Sequence, residues 1–217
     1  MKYSTIIFDL DGTLLDTSEG IMVGASYTAN KMGGPNLTLA QQKSFIGPSP
    51  FYSFIRECGY TESEAREAVE IYRNRYKKKG QFEAKHYDFI QELLVTLKEK
   101  EFKTAVATLK RDDLAKEILL NFELLTYFDS INGIDEMDTL SKADIILMCL
   151  KDLQQNDLSE VVLIGDSIHD AVGAENVGID FIAVTYGYGF KSREEVINST
   201  NVFIAENVKD IIKYLDL

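Results

Sequence analysis

The chain is poor in cysteine, in positive charge and in long apolar runs, and each shortage removes a class of protein. Its 217 residues include 2 cysteines, Cys58 and Cys149, whose wide spacing outlines neither a metal site nor a disulfide framework. They read as reduced thiols of a cytoplasmic protein. Lys and Arg number 23 against 35 Asp and Glu, for a formal net charge of −12. Such a balance argues against a nucleic-acid partner, because nonspecific binding to phosphate backbones is carried by Lys and Arg. No apolar run approaches the roughly 18 residues of a membrane span. Only Lys2 precedes the first apolar run, and Asp9 and Asp11 cut that run short, so it does not read as a secretion signal. Repeats and low-complexity segments are also missing. What remains is 45% hydrophobic, long enough for one large core or a core with a smaller inserted domain.

The pattern along the chain supports the second arrangement. Apolar runs at 4–9, 103–108, 129–132, 161–165, 180–185 and 201–204 predict strands. Helical patterns at 86–100, 112–122, 141–153, 168–177 and 207–215 fall between or after them. Alternation of this kind predicts an α/β fold built on a doubly wound parallel sheet. Between Ser18 and Gly80 there is no good strand pattern, and helices are expected near 18–32, 39–46, 49–58 and 62–79. The expected division is a core of residues 1–15 and 85–217 interrupted by a helical domain of residues 16–84, with hinges near 15–17 and 80–85.

The most informative stretch is Phe8-Asp9-Leu10-Asp11-Gly12-Thr13, where an apolar run stops at two carboxylates. In open parallel sheets, ligands bind outside the carboxyl ends of strands, so both acids are expected to open into a crevice. Gly12 permits a sharp turn and lets backbone N–H groups approach an anion. Taken alone, the segment is also compatible with a polar turn. Three later features weigh against that. Thr108 ends the next apolar run, where its hydroxyl can donate to a phosphoryl oxygen or cap a helix, a duty that Asp112 and Asp113 could also fill. Lys142 stands in the first turn of a helix, against the helix dipole, and so calls for a nearby negative charge. In Gly165-Asp166-Ser167-Ile168-His169-Asp170, a buried strand delivers one carboxylate and a second follows one helical turn later, a pair suited to a hard cation.

With these four motifs in place, the chain resembles the haloacid dehalogenase superfamily over its whole length, most of whose members are phosphatases. The resemblance implies a Mg²⁺-dependent phosphatase acting on a small phosphorylated metabolite. Asp9 would be the nucleophile and Asp11 the acid that protonates the leaving alcohol and then activates water. Thr108, Lys142 and backbone N–H groups around Leu10 to Gly12 would hold the phosphoryl oxygens. Asp9, Asp166 and the Asp11 backbone carbonyl would ligate the metal, with Asp170 behind them or acting through water. The acid at position 11 argues against a dehalogenase or phosphonate hydrolase, neither of which needs it.

The helical insert corresponds to a cap that selects substrate. Gly47, in the loop Phe45-Ile46-Gly47-Pro48-Ser49-Pro50, resembles a loop of phosphoglycolate phosphatase-like members, as does the Tyr186-Gly187-Tyr188-Gly189 turn. That loop is equally compatible with a plain interhelix turn. Arg56, Arg73 and, in the core, Lys110 are the remaining candidates for substrate contacts, although charged helix faces are commonly just solvated. His169 is expected at the surface or in packing. A phosphoglucomutase-type phosphotransferase shares all of these motifs, and a non-catalytic binding protein of the same fold is the reading from another class. A monomer or weak dimer with no membrane partner is expected.

Overall fold

The computed structural model describes residues 2–135, 139–197 and 199–217. Among the described residues, eight strands run in chain order: β1 (Thr5–Phe8), β2 (Leu15–Asp16), β3 (Lys85–His86), β4 (Lys103–Arg111), β5 (Ser130–Ile134), β6 (Val161–Gly165), β7 (Asp180–Val184) and β8 (Phe203–Ala205). The helices are α1 (Ser18–Lys31), α2 (Leu39–Lys43), α3 (Pro50–Cys58), α4 (Glu62–Lys78), α5 (Ile90–Glu99), α6 (Asp112–Asn121), α7 (Lys142–Asp152), α8 (Ile168–Val177), α9 (Arg193–Val196) and α10 (Val208–Tyr214). None of them is long and apolar enough to cross a membrane.

Six strands form one parallel sheet in the order β5-β4-β1-β6-β7-β8. The expected α/β doubly wound sheet is therefore present. Strand β1 is central, and Ile6, Ile7 and Phe8 are fully buried, as a strand covered on both faces requires. Phe8 lies level with Val106 of β4 and Ile164 of β6. This register brings Asp9, Thr108 and Asp166 to the same edge of the sheet, at the point where strand order reverses around β1. One side of the sheet packs on α7 and α8 through Ile145, Ile146, Cys149, Ala171 and Ala174.

The chain divides into two compact units, one made of the sheet segments up to Asp16 and from His86 onward, the other of Thr17–Lys85. The second unit holds α1 to α4 around its own core of Ala25, Ala29, Leu37, Phe45, Phe54, Ala65, Ala68 and Tyr72. Capping boxes at Thr38 with Gln41 and at Thr61 with Glu64 start α2 and α4, and Gly59, at φ 70°, ends α3.

Several elements differ from their sequence pattern. The helix expected from residue 86 begins at Ile90, because β3 and the left-handed Phe89, at φ 68°, precede it. Helix α2 stops at Lys43 instead of 46. Strand β4 runs on to Arg111, three residues past Thr108, with a break in its register to β5 between Ala107 and Arg111. Helix α9 and the two short strands β2 and β3 had no signal of their own.

Candidate active site

The site is assembled at the carboxyl ends of β1, β4 and β6. Asp9 is 7% exposed, Asp166 4% and Asp170 2%, and one oxygen from each lies within 4.8 Å of the others. Three buried carboxylates so close together would repel strongly without a cation. Lys142, equally buried, meets two of them: its Nζ is 2.6 Å from Asp9 Oδ1 and 2.6 Å from Asp170 Oδ1. The negative charge that a first-turn lysine calls for is thus supplied by two side chains from other elements. The helix itself is begun by Ser141, whose hydroxyl accepts the Asp144 N–H while the Asp144 carboxylate accepts the Ser141 N–H.

One ammonium cannot balance three carboxylates, and the titration of the group follows from that excess. Burial pushes the Asp9 carboxyl up and the charges of Asp170 and Asp166 add to it, while Lys142 pulls it down. Asp166 is pushed up to about 6 by burial and by Asp170, against the two backbone N–H groups it accepts. Burial works to lower the Lys142 pKa, but Asp170 and Asp9 outweigh it and hold the amine above the ordinary lysine range. The cluster is short of positive charge, and its oxygen-only donors suit a hard cation such as Mg²⁺.

Each carboxylate is held in place. Asp170 uses Oδ2 to accept the Ser167 hydroxyl at 2.6 Å and the Ser167 N–H at 3.0 Å, capping α8, and so presents Oδ1 to Lys142. Asp166 Oδ2 accepts the Tyr188 N–H at 2.5 Å and the Gly189 N–H at 3.0 Å, and its backbone carbonyl accepts the Phe190 N–H at 2.7 Å. The Tyr-Gly turn therefore wraps the second carboxylate. Its aromatic rings tie it down further: the Tyr186 hydroxyl donates to the Thr13 carbonyl, and the Tyr188 hydroxyl to Asp16.

The glycines of the motifs make room for these acids. A Cβ at Gly12 would lie 2.3 Å from Asp166 Oδ2, and one at Gly165 would lie 2.5 Å from the Asp170 carboxyl carbon. Gly12 also needs its φ of 88°, and its N–H is committed to the Leu15 carbonyl at 2.9 Å. In this turn the Gly12 N–H is used by the backbone, and the residue supplies space for the Asp166 carboxylate. Leu10 is fully buried.

Asp11 stands apart from the three-carboxylate cluster. Its two oxygens lie 2.9 and 2.8 Å from Lys110 Nζ. Thr108, 2% exposed, accepts the Lys110 N–H on its hydroxyl oxygen at 3.1 Å. It caps no helix; α6 starts beyond it, after Arg111. His169 is exposed.

The candidates in the helical unit are described by their own surroundings. Arg56 is half exposed, with Nε 2.6 Å from Glu57 and Nη2 3.1 Å from the Ser44 carbonyl. Gly47 is exposed at φ 96°, with open space where a Cβ would go. Arg73 lines a cavity of about 480 Å³ with Phe51, Arg66, Glu67, Val69 and Glu70. Arg75, in the same Tyr72–Tyr76 stretch that offers Arg73 as a candidate, is largely buried and meets Glu83 at 2.8 and 2.9 Å. Sequence reading missed the pairing of Lys110 with Asp11 and the amides that hold Asp166. The Gly-rich Tyr186–Gly189 turn was the available signal for the latter.

Comparison with known proteins agrees with this geometry. A 5'-nucleotidase of Pseudomonas aeruginosa is 35% identical over 196 residues, 90% of this chain and 88% of that one. The tyrosine-protein kinase PtkA of Mycobacterium tuberculosis is 33% identical over 207 residues, 95% of this chain and 69% of its own. A phosphoglycolate phosphatase of Vibrio parahaemolyticus is 26% identical over 217 residues, covering 96% and 94%. Among crystal structures, a Clostridium difficile protein assigned as a phosphatase superposes with a TM-score of 0.93 at 36% identity, over 99% of both chains. The family pattern of haloacid dehalogenase-like hydrolases matches residues 6–184. The chain belongs to the haloacid dehalogenase-like hydrolases.

Proposed function

We propose that the protein is a Mg²⁺-dependent phosphatase that hydrolyses a small phosphate monoester through an aspartyl-phosphate on Asp9. The observation that carries the reading is the buried set of Asp9, Asp166 and Asp170 around one lysine at the carboxyl edge of the sheet. When bound, Mg²⁺ supplies positive charge that offsets the phosphate dianion. Asp9 and Asp166 would hold it, with the Asp11 carbonyl, and Asp170 would sit behind them.

The chain's own residues divide the work. A carboxylate and a phosphate dianion repel, so attack of an Asp9 oxygen on phosphorus needs the ammonium of Lys142 beside it. As the P–O bond to the alcohol breaks, Asp11 donates a proton to the leaving oxygen. Asp11 then takes a proton from water, which attacks the phosphorus of the acyl phosphate, releasing inorganic phosphate and regenerating Asp9. Thr108 accepts the Lys110 N–H on its oxygen, which leaves its own proton to be donated to a phosphoryl oxygen.

The helical unit is proposed as the substrate-selecting cap, and the candidate substrates are nucleoside monophosphates, phosphoglycolate and sugar phosphates. The relatives named 5'-nucleotidase and phosphoglycolate phosphatase support the first two. Phosphate release from a panel of these esters, with and without Mg²⁺, tests the reading: no release from any of them would sink it. The relation to PtkA favours a second reading, phosphoryl transfer to an acceptor other than water. Label from a phosphorylated donor recovered on a protein or sugar hydroxyl, instead of as inorganic phosphate, would select it.

A further inference from the structure

We infer that Lys110 is a positioning residue that fixes the Asp11 carboxylate and Thr108 together, so that the proton donor stands in a set orientation toward the leaving group. The inference rests on the proposed acid role of Asp11. Four observations support it. The Lys110 ammonium spans both Asp11 oxygens at 2.8 and 2.9 Å, across 99 residues of sequence. Its side chain is 8% exposed against 26% for Asp11, so the lysine is the anchored partner and the aspartate the one facing out. Its backbone N–H meets the Thr108 hydroxyl oxygen. Finally, Thr108 to Lys110 lie where the β4 register with β5 breaks, and local breaks of this kind re-aim side chains.

The backbone around Lys110 is itself held. A Cβ at Gly133 of β5 would lie 2.5 Å from the Lys110 carbonyl oxygen and 2.6 Å from the Asp112 nitrogen, so the two strands approach closely there. The Gly133 N–H donates to Asp112 Oδ1 at 3.2 Å. A lysine stem fixed at its base and buried along its length presents its charge at one place. A carboxylate bound through both oxygens to that charge loses its freedom to rotate; in this ionised form it faces the water from which it takes a proton, and when one oxygen carries a proton the other stays on the ammonium, so the O–H is aimed along one line.

The role separates from direct substrate binding by leaving-group dependence. Proton donation matters greatly for an alkyl phosphate, whose alkoxide is a poor leaving group, and little for p-nitrophenyl phosphate. We expect Lys110→Met to lower kcat on an alkyl ester at least tenfold more than on the aryl ester, out of the roughly hundredfold or more that general acid catalysis contributes. Lys110→Arg, which keeps two donors for the carboxylate, should recover most of that difference. In an Asp11→Asn background, Lys110→Met should cost little more, because the group through which it acts is gone.

Equal losses on both esters, or losses that add to those of Asp11→Asn, would overturn the positioning role. A rise in KM confined to doubly anionic substrates would overturn it too, in favour of substrate contact. Asp11→Asn alone separates the two levels: without leaving-group dependence in that variant the acid role of Asp11 fails, and the inference with it. If the dependence appears there but not in Lys110→Met, only the inference fails. A melting temperature for each variant, compared with Lys110→Arg, controls for misfolding.

Discussion

The two units of this chain handle charge in opposite ways. In the sheet unit, four charged side chains (Asp9, Asp166, Asp170 and Lys142) are nearly sealed from solvent at the ends of four elements, β1, β6, α8 and α7. In the helical unit, Arg56, Arg66 and Lys79 are largely exposed and pair with near neighbours in sequence, and Arg75 with Glu83 is a buried pair eight residues apart. Burying like charges costs several kcal/mol per ion, so such an arrangement is kept for chemistry. Exposed local pairs cost little and contribute about 0–1 kcal/mol. Chemistry therefore marks the sheet unit strongly, while selectivity, if it resides in the helical unit, leaves only a faint mark.

The contrast is sharpest if the buried carboxylate is neutralised. Asp9→Asn should lower turnover by more than about a thousandfold, about 4 kcal/mol of transition-state stabilisation, while the circular dichroism spectrum stays native. The fold should tolerate the change because the amide relieves the excess of negative charge around Lys142. Activity within tenfold of the parent in a folded variant would remove Asp9 from the nucleophile role.

Removing divalent metal tests the same excess of charge from outside. Chelation should stop turnover and Mg²⁺ should restore it. Asp9 and Asp166 titrate higher in the fold than in an unfolded chain, so the fold holds their protons more tightly. That contribution to stability is complete below about pH 4 and is lost as pH rises through about 6 and beyond. Melting temperatures of the chelated protein should accordingly fall between about pH 5 and pH 8, and Mg²⁺ should raise them more at the upper end, where it no longer competes with protons. A melting temperature that rises over this range with the metal removed would contradict the charge balance drawn here.

How much of this was legible in the sequence depends on range. Strand ends, capping residues and short motifs are local, so the order of elements and the positions of Asp9, Thr108, Lys142, Asp166 and Asp170 could be read directly. Lys142 was even legible as a misplaced charge, since a cation in a first helical turn demands a distant anion. The start of α5 was not legible, because the left-handed Phe89 carries no glycine signal. Nor was the partner of Lys110: two residues 99 apart meet because β1 and β4 are neighbours, and nothing in either segment encodes that pairing. The amide donors to Asp166 were hidden for a similar reason, as backbone groups have no residue identity.

A smaller effect is expected from the turn that wraps Asp166. A Cβ at Gly187 would lie 2.3 Å from the Gly12 carbonyl oxygen and 2.4 Å from Asp166 Oδ2. Gly187→Ala should therefore shift that carboxylate and raise the Mg²⁺ concentration for half-maximal activity about ten- to a hundredfold, the usual range for groups that orient metal ligands. A Mg²⁺ titration of the purified variant gives the answer. An unchanged requirement would mean that the turn yields without moving Asp166.

The smallest effect, and the one that bears most on the helical unit, separates Arg56 from Arg73. Arg56 is already engaged by Glu57 and the Ser44 carbonyl, and the Glu57 carboxyl is held below its usual range by Arg56 and by Ser44. Its replacement by Ala should leave the relative kcat/KM of different phosphate esters within about twofold, as expected for an exposed pair with a structural role. Arg73 instead lines a cavity beside Phe51 and Val69, where a guanidinium can meet a carboxylate or phosphate through two parallel hydrogen bonds. If that contact is made, Arg73→Ala should depress kcat/KM for an ester carrying a second anionic group, such as phosphoglycolate, about tenfold more than for a neutral alkyl phosphate. Loss in KM alone would mark a contact equal in ground and transition states, and loss in kcat as well would mark one completed only on the way to reaction. Identical relative rates across the panel in both variants would make these arginines solvated charges, and would shift the search for selectivity to the Ile46 to Pro50 loop.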